Sequence, residues 1–239
     1  LVERELTEED IAALEEDAEL EAGDSGDSGD EVGLQTAVPR DGEGALGAAS
    51  ANGVNTSDDD DSASQVARVL EVGCGTGCIS LSIAAERPEH TCCVAIDIEP
   101  RAVDLSIRNR DALGIAPDVV DVRLGNLVSP LNRETEWGTF DVLVSNPPYI
   151  PTSVMDNLPH EVADYEPALA LDGGEDGLDI FRRLVNAAPH MLKPGGLLAC
   201  ELYEGHLDQA ASLCRAAGMR EVRVVNDLTN RPRIILARV

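Results

Sequence analysis

Asn146-Pro147-Pro148-Tyr149 ends the apolar run Phe140-Asp141-Val142-Leu143-Val144-Ser145. The run reads as a buried strand, so these four residues stand at its mouth. They combine one polar amide, two rigid rings that carry no backbone N–H, and one aromatic face. Such a clamp suits a flat amide or amine group that is to be chemically modified. The same four residues would also serve as a rigid turn after a strand, and their company in the chain decides between the two.

That company is Glu71-Val-Gly-Cys-Gly-Thr-Gly77, which joins a strand to a helix. Gly73, Gly75 and Gly77 let the backbone turn tightly and approach a ligand closely. A loop of this kind can hold NAD, FAD or S-adenosylmethionine. The dinucleotide pattern is incomplete, because Cys78 stands where its third glycine belongs. No Gly-Lys-Ser/Thr follows, so the loop is not a P-loop. Asp97 ends the next strand, about 20 residues on, where a carboxylate can accept both hydroxyls of a ribose. It could also cap the helix that begins near Pro100. Ile98 can pack on an adenine face or belong to the core. After a third strand, Asn126 can bond an adenine edge and Leu127 cover it, or both can be plain loop residues.

The elements that must position these residues alternate along the chain. Strands are expected over 68–72, 92–96, 119–124, 140–144, 197–202, 222–225 and 233–237. Helices are expected over 78–86, 100–113, 178–191 and 207–217. Pro100 in the first turn and Gly114 past the end fit helix boundaries. This alternation specifies a mostly parallel sheet covered on both faces, with ligands at the carboxyl ends of its strands. Ahead of it, residues 1–22 read as an acidic helix. Residues 23–65 are rich in Gly, Asp and Ser, cannot bury enough apolar surface to offset chain entropy, and are expected to be a disordered insertion. The ordered domain is expected over 66–239.

The formal net charge is -27 over 239 residues. Residues 1–65 hold 20 Asp/Glu and 2 Lys/Arg, and the rest hold 25 and 16. The acidity weighs against duplex nucleic acid as a partner, because phosphate binding needs a positive footprint. Six cysteines form no Cys-x-x-Cys pair and read as small buried side chains in a reducing compartment. His90, His160, His190 and His206 fall in no metal or nucleophile motif, so the sequence gives no metal centre. No apolar run approaches the roughly 20 residues that span a membrane, and no signal peptide is seen. The chain begins at Leu1 rather than Met, and is expected to be a fragment.

Together, Glu71–Gly77, Asp97 and Asn146–Tyr149 resemble a class I S-adenosylmethionine-dependent methyltransferase. The residues after the clamp narrow the match. Ile150-Pro151, Tyr165-Glu166-Pro167, Ala170-Leu171, Asp172-Gly173-Gly174 and Asp176-Gly177-Leu178-Asp179 are similar to the HemK family, the release-factor glutamine methyltransferases. So are Lys193-Pro-Gly-Gly196, Glu201 and the closing run 227–233. The resemblance covers about 66–239. It implies a Rossmann-like fold with a seven-stranded, mostly parallel sheet and helices on both faces. It implies S-adenosylmethionine at Glu71, Gly73, Cys74, Gly75 and Gly77, then at Asp97, Ile98, Asn126, Leu127 and Asn146. Family members also carry a helical amino-terminal domain and an Arg-x-Glu-Thr-Glu motif that would precede Leu1. They usually have Asp at the place of Asn126, and no acidic insertion as long as this one.

The implied reaction methylates the side-chain amide nitrogen of the glutamine in a Gly-Gly-Gln motif of a peptide-chain release factor. Asn146, Pro147 and Tyr149 would be catalytic, with Pro148 and Glu166 completing the substrate pocket. The Asn146 oxygen and the Pro147 carbonyl would each accept one N–H of the substrate amide, and Tyr149 would stack on its plane. Glu166 could instead fix a loop, and Glu201 either lines the pocket or merely ends a strand. The protein is expected to be a monomer, with no stable nucleic-acid partner, in the cytoplasm or mitochondrion. Two alternatives stay open: an N6-adenine or other base methyltransferase using the same clamp, and a non-catalytic adaptor.

Overall fold

A computed structural model describes residues 66–160 and 167–239. The expectations for residues 1–22 and 23–65, and for Glu166, lie outside the described residues.

The chain opens with β1 (Ala67–Val72), α1 (Cys78–Glu86), β2 (Thr91–Asp97), α2 (Pro100–Ala112) and β3 (Val120–Leu124). β4 (Phe140–Ser145) and the one-turn α3 (Thr152–Met155) follow. Then come α4 (Asp179–Met191), β5 (Leu192–Glu201), α5 (Leu207–Ala216), β6 (Arg220–Asn226) and β7 (Pro232–Arg238). All seven strands join one sheet in the order β3-β2-β1-β4-β5-β7-β6. The pairs among β3, β2, β1, β4 and β5 are parallel, and β7 runs antiparallel to both β5 and β6. The mostly parallel sheet expected from the alternation, and the Rossmann-like fold that the resemblance implies, are therefore present.

Strand periodicity splits the core in two. Leu70 and Val72 of β1 join Phe181, Leu184 and Met191 of α4 and Ala210 and Cys214 of α5. Val69, one residue out of phase, joins Leu81 and Ala84 of α1 with Cys93 and Ala95 of β2. Helices thus cover both faces. α4 buries Phe181, Leu184, Val185, Ala188 and Met191, a spacing of three and four that puts one apolar stripe on the sheet. Truncating Phe181, which is fully buried, would cost about 3–5 kcal/mol.

Helix ends follow local chemistry. The Glu99 carboxylate accepts from the Arg101 amide and caps α2, with Pro100 in its first turn. Asp97 is therefore not the cap. β5 starts five residues earlier than its apolar run, at Leu192, because the Lys193–Gly196 segment stays extended and shifts register against β4. Lys193 pairs with Asp141 at 2.9 Å, and the Arg68 amide donates to the same carboxylate at 2.8 Å. These contacts tie β1, β4 and β5 together at the end remote from the clamp. No helix among the described residues is long and apolar enough to cross a membrane.

Candidate active site

β1 lies between β2 and β4, and its last residue, Val72, is level with Ile96 and Ser145. The glycine loop, Asp97 and the Asn146 clamp therefore leave three adjacent strands at one edge. Buried Ser145 fastens two of these ends: its hydroxyl donates to the Val72 carbonyl at 2.7 Å.

The loop is built for backbone approach. Gly73, Gly75 and Gly77 have φ of 71°, 55° and 78°, the left-handed region that favours glycine. A Cβ on Gly73 or Gly75 would meet nothing within 4 Å, so this side of the loop faces open space. A Cβ on Gly77 would stand 2.9 Å from the Ser106 hydroxyl, on the packed side. The amides of Gly73 and Cys74 both donate to the Ile96 carbonyl. The Asp97 carboxylate accepts from the Gly75 amide at 2.7 Å and from the Glu99 amide at 2.9 Å. It thus pins the loop while keeping lone pairs for a ligand's hydroxyls. Half-buried Ile98 stands beside it.

Three expected contacts take a different form. Glu71 is 1 % exposed and lies beneath the loop, where its carboxylate accepts from the Ser80 amide at 2.9 Å. Burial raises its pKa above the usual carboxylate range, against the lowering effect of Ser80. Cys74 is buried too, with its sulfur 3.6 Å from the Ser106 hydroxyl, so only its backbone can meet a ligand. The oxygen of Asn126 accepts from Arg183 of α4 at 3.2 Å. An asparagine here is thus held by a neighbouring guanidinium. Leu127 is half-buried, packs on the core, and has a positive φ of 49°. Pro130 lies so close that a Cβ on Gly125 would come within 2.6 Å of it.

Two residues that hold the loop escaped the sequence reading. On α2, Ser106 donates to the Gly75 carbonyl at 2.8 Å and Asn109 to the Thr76 carbonyl at 2.9 Å. The available signal was a pair of polar residues three apart, in phase with buried Val103, on the inner face of an otherwise charged helix.

The clamp is open on its polar side. Asn146 is exposed, and its carboxamide makes no hydrogen bond among the described residues. No backbone donor among them reaches the Pro147 carbonyl. Pro147 is buried, and half-buried Tyr149 packs against the main core. The segment after it is held by the Asp172-Gly-Gly run. Ile150 donates to the Leu171 carbonyl at 2.9 Å, Gly173 to the Ile150 carbonyl at 2.8 Å, and Thr152 to the Gly174 carbonyl at 2.9 Å. Glu201, exposed and with no side-chain hydrogen bond or ion pair among the described residues, ends β5 one place past the level of Ser145 and Cys200. It ends a strand and also stands beside the clamp. No His, Cys, Asp and Glu group among the described residues could hold a metal ion.

The profile of the family "Methyltransferase small domain" matches residues 55–162. A release factor glutamine methyltransferase of Rhodospirillum rubrum is 39% identical over 171 residues, which is 72% of this chain and 50% of the relative. Over that stretch the chain is similar to the release factor glutamine methyltransferases. A human member, the MTRF1L release factor glutamine methyltransferase, is 33% identical over 70% of this chain and 50% of its own length. The chain spans about half the length of these curated relatives. A solved methyltransferase from Pyrococcus furiosus shares the fold, with a TM-score of 0.52 at 20% identity, over 73% of this chain and 75% of its own.

Proposed function

We propose that residues 66–239 form a catalytic domain that methylates the side-chain nitrogen of the Gly-Gly-Gln glutamine in a peptide-chain release factor. The observation that carries this reading is the pairing of two open features at adjacent strand ends: the open side of the glycine loop at Gly73 and Gly75, and the Asn146 clamp, whose carboxamide is unbonded among the described residues. The curated relatives are named release factor glutamine methyltransferases, which supports a release-factor glutamine as the acceptor.

The residues present fit S-adenosylmethionine. Gly73 and Gly75 leave the space for it, Asp97 can accept its ribose hydroxyls, and Ile98, Leu127 and the Asn126 segment would border its adenine. When bound, it supplies an electrophilic methyl on a cationic sulfur. An amide nitrogen is a poor nucleophile, because its lone pair is delocalised into the carbonyl, so alignment carries much of the work. The Asn146 oxygen and the Pro147 carbonyl accept the two N–H groups of the substrate amide. They fix the nitrogen and favour partial positive charge on it as the bond forms. Tyr149 covers the amide plane, and the prolines place no competing N–H nearby. One proton leaves the nitrogen to water after transfer, so no histidine is required.

The acidity of the chain favours a protein over a nucleic-acid partner, and we read the molecule as a monomer. A release-factor substrate supports a compartment where such factors act, and we read it as cytoplasm or mitochondrion. The test is transfer of labelled methyl to a release factor, with DNA and RNA as competing acceptors. Label in nucleic acid alone would sink the proposal. Asn146→Ala should cut kcat by about 100-fold or more while S-adenosylmethionine affinity, measured by calorimetry, stays near wild type.

A further inference from the structure

The clamp has a weakness of its own making. Its two prolines donate nothing, and among the described residues Asn146 makes no side-chain hydrogen bond and the first backbone hydrogen bond past β4 is that of Ile150. Something else must set where Tyr149 and the Pro147 carbonyl stand. The loop from Leu171 to Leu178 meets that need. Ile150 and Asp172 form a parallel bridge, flanked by the bonds from Ile150 to Leu171 and from Gly173 to Ile150. A Cβ on Gly173 would stand 2.7 Å from the Tyr149 Cα, and one on Gly177 would overlap the Tyr149 carbonyl oxygen and sit 2.6 Å from His206 Cε1. Two glycines therefore press bare backbone onto the clamp's backbone.

The far end of the loop is latched. The Asp176 carboxylate accepts from both terminal nitrogens of Arg182, from Gln209 Nε2 at 3.0 Å and from the Leu178 amide at 3.2 Å. The near end is held by Asp172, which accepts from the Thr152 hydroxyl at 2.7 Å and the Gly174 amide at 3.0 Å. None of these polar groups belongs to the glycine loop.

We infer that the 171–178 loop is the positioning element of the methyl-acceptor clamp: Gly173 and Gly177 fix the place of Tyr149, and Asp176 holds them there through Arg182 and Gln209. This rests on the reading of residues 146–149 as the acceptor site. Asp176 and Gly177 are positioning residues, and the site reacts without touching them. An error of about an ångström at the acceptor costs about 100-fold in rate, so the loop governs kcat rather than cofactor binding.

The experiment compares Gly177→Ala, Asp176→Asn and Gly195→Ala with the unsubstituted chain, using labelled S-adenosylmethionine and a release factor. Gly195 has φ of 81° in open space, so Gly195→Ala reports backbone strain without the clash. Gly177→Ala should lower kcat by about 100-fold and Asp176→Asn several-fold. Calorimetric affinity for S-adenosylmethionine, its binding stoichiometry and the release-factor KM should stay within twofold of wild type. Gly195→Ala should keep wild-type kcat. If Gly177→Ala does not fold, Asp176→Asn decides alone. Wild-type kcat in the folded loop variants overturns the inference. Cofactor affinity falling in step with kcat also overturns it, since that marks general loosening. No transfer by the unsubstituted chain overturns the acceptor-site reading beneath it.

Discussion

Alanine at Gly73 and at Gly77 should separate the two sides of the cofactor loop. Both residues have left-handed φ, at 71° and 78°, so each alanine costs about 1–2 kcal/mol of backbone strain. Part of that is offset, because alanine also lowers the entropy of the unfolded chain by about 0.4–1 kcal/mol. At Gly73 nothing further is lost, since the new methyl enters open space. At Gly77 it meets Ser106 Oγ at 2.9 Å and Leu81 Cδ1 at 3.1 Å. The serine hydroxyl must turn away and give up its bond to the Gly75 carbonyl, a further loss of about 1 kcal/mol. Urea unfolding should then show Gly73→Ala within about 1.5 kcal/mol of wild type and Gly77→Ala a further kcal/mol or so lower, about 1–2.5 kcal/mol below wild type. Calorimetry with S-adenosylmethionine should give the opposite emphasis. The Gly73 methyl occupies the space kept for the ligand, so affinity should fall at least about tenfold, or 1.4 kcal/mol, in a protein that is nearly as stable. If Gly73→Ala binds S-adenosylmethionine as tightly as wild type, the open face of the loop is not the cofactor's seat.

Thiol chemistry should follow burial: Cys78 is exposed and Cys92 half-buried, whereas burial pushes the Cys74 thiol up to about 12 and those of Cys93 and Cys214 up to about 11, and raises Cys200 as well. A maleimide at neutral pH should label Cys78 first and Cys92 more slowly, with the other four reacting only in denaturant; fast labelling of three or more native thiols would contradict the packing. Burial raises the Glu71 carboxyl above its unfolded value of about 4.3, so the native state holds that proton longer, and the associated stability is full below that value and lost as pH rises through the higher folded one. Glu71→Gln should therefore gain stability relative to wild type as pH climbs, by about 1.4 kcal/mol per unit of elevation, and a stability difference that does not change with pH would refute the assignment.

The sequence made the sheet legible because each strand carries its own signal. Leu70-Glu71-Val72 and Cys93–Ile96 are short apolar runs bounded by glycine or a charge, and the helices between them have the spacing of Val103 and Ser106 or of Phe181, Leu184 and Met191. Period and punctuation are local properties, so one chain suffices to read them. β5 was read short for the same reason. Lys193-Pro-Gly-Gly196 has no strand-like composition, and it is extended because Lys193 reaches Asp141 across the sheet.

The site was legible only where composition is extreme. Three left-handed glycines and an Asn-Pro-Pro-Tyr string announce themselves, but the supports that give them shape do not. Ser106 and Asn109 lie about 30 residues from the carbonyls they hold, and nothing local ties them together. Asn126 looked free to meet adenine because Arg183, 57 residues away, is invisible from the third strand. Cys74 sits among glycines, and the turn around it packs its side chain against Ser106, 32 residues away. The Asp172-Gly-Gly174 run shows the limit most clearly. Read locally, Gly173 and Gly177 are flexible turn residues. In the fold, both stand where any side chain would collide with Tyr149 or its carbonyl. Their requirement for glycine comes from the backbone they touch rather than from the turn they make, and a backbone contact leaves no mark on the composition of either segment.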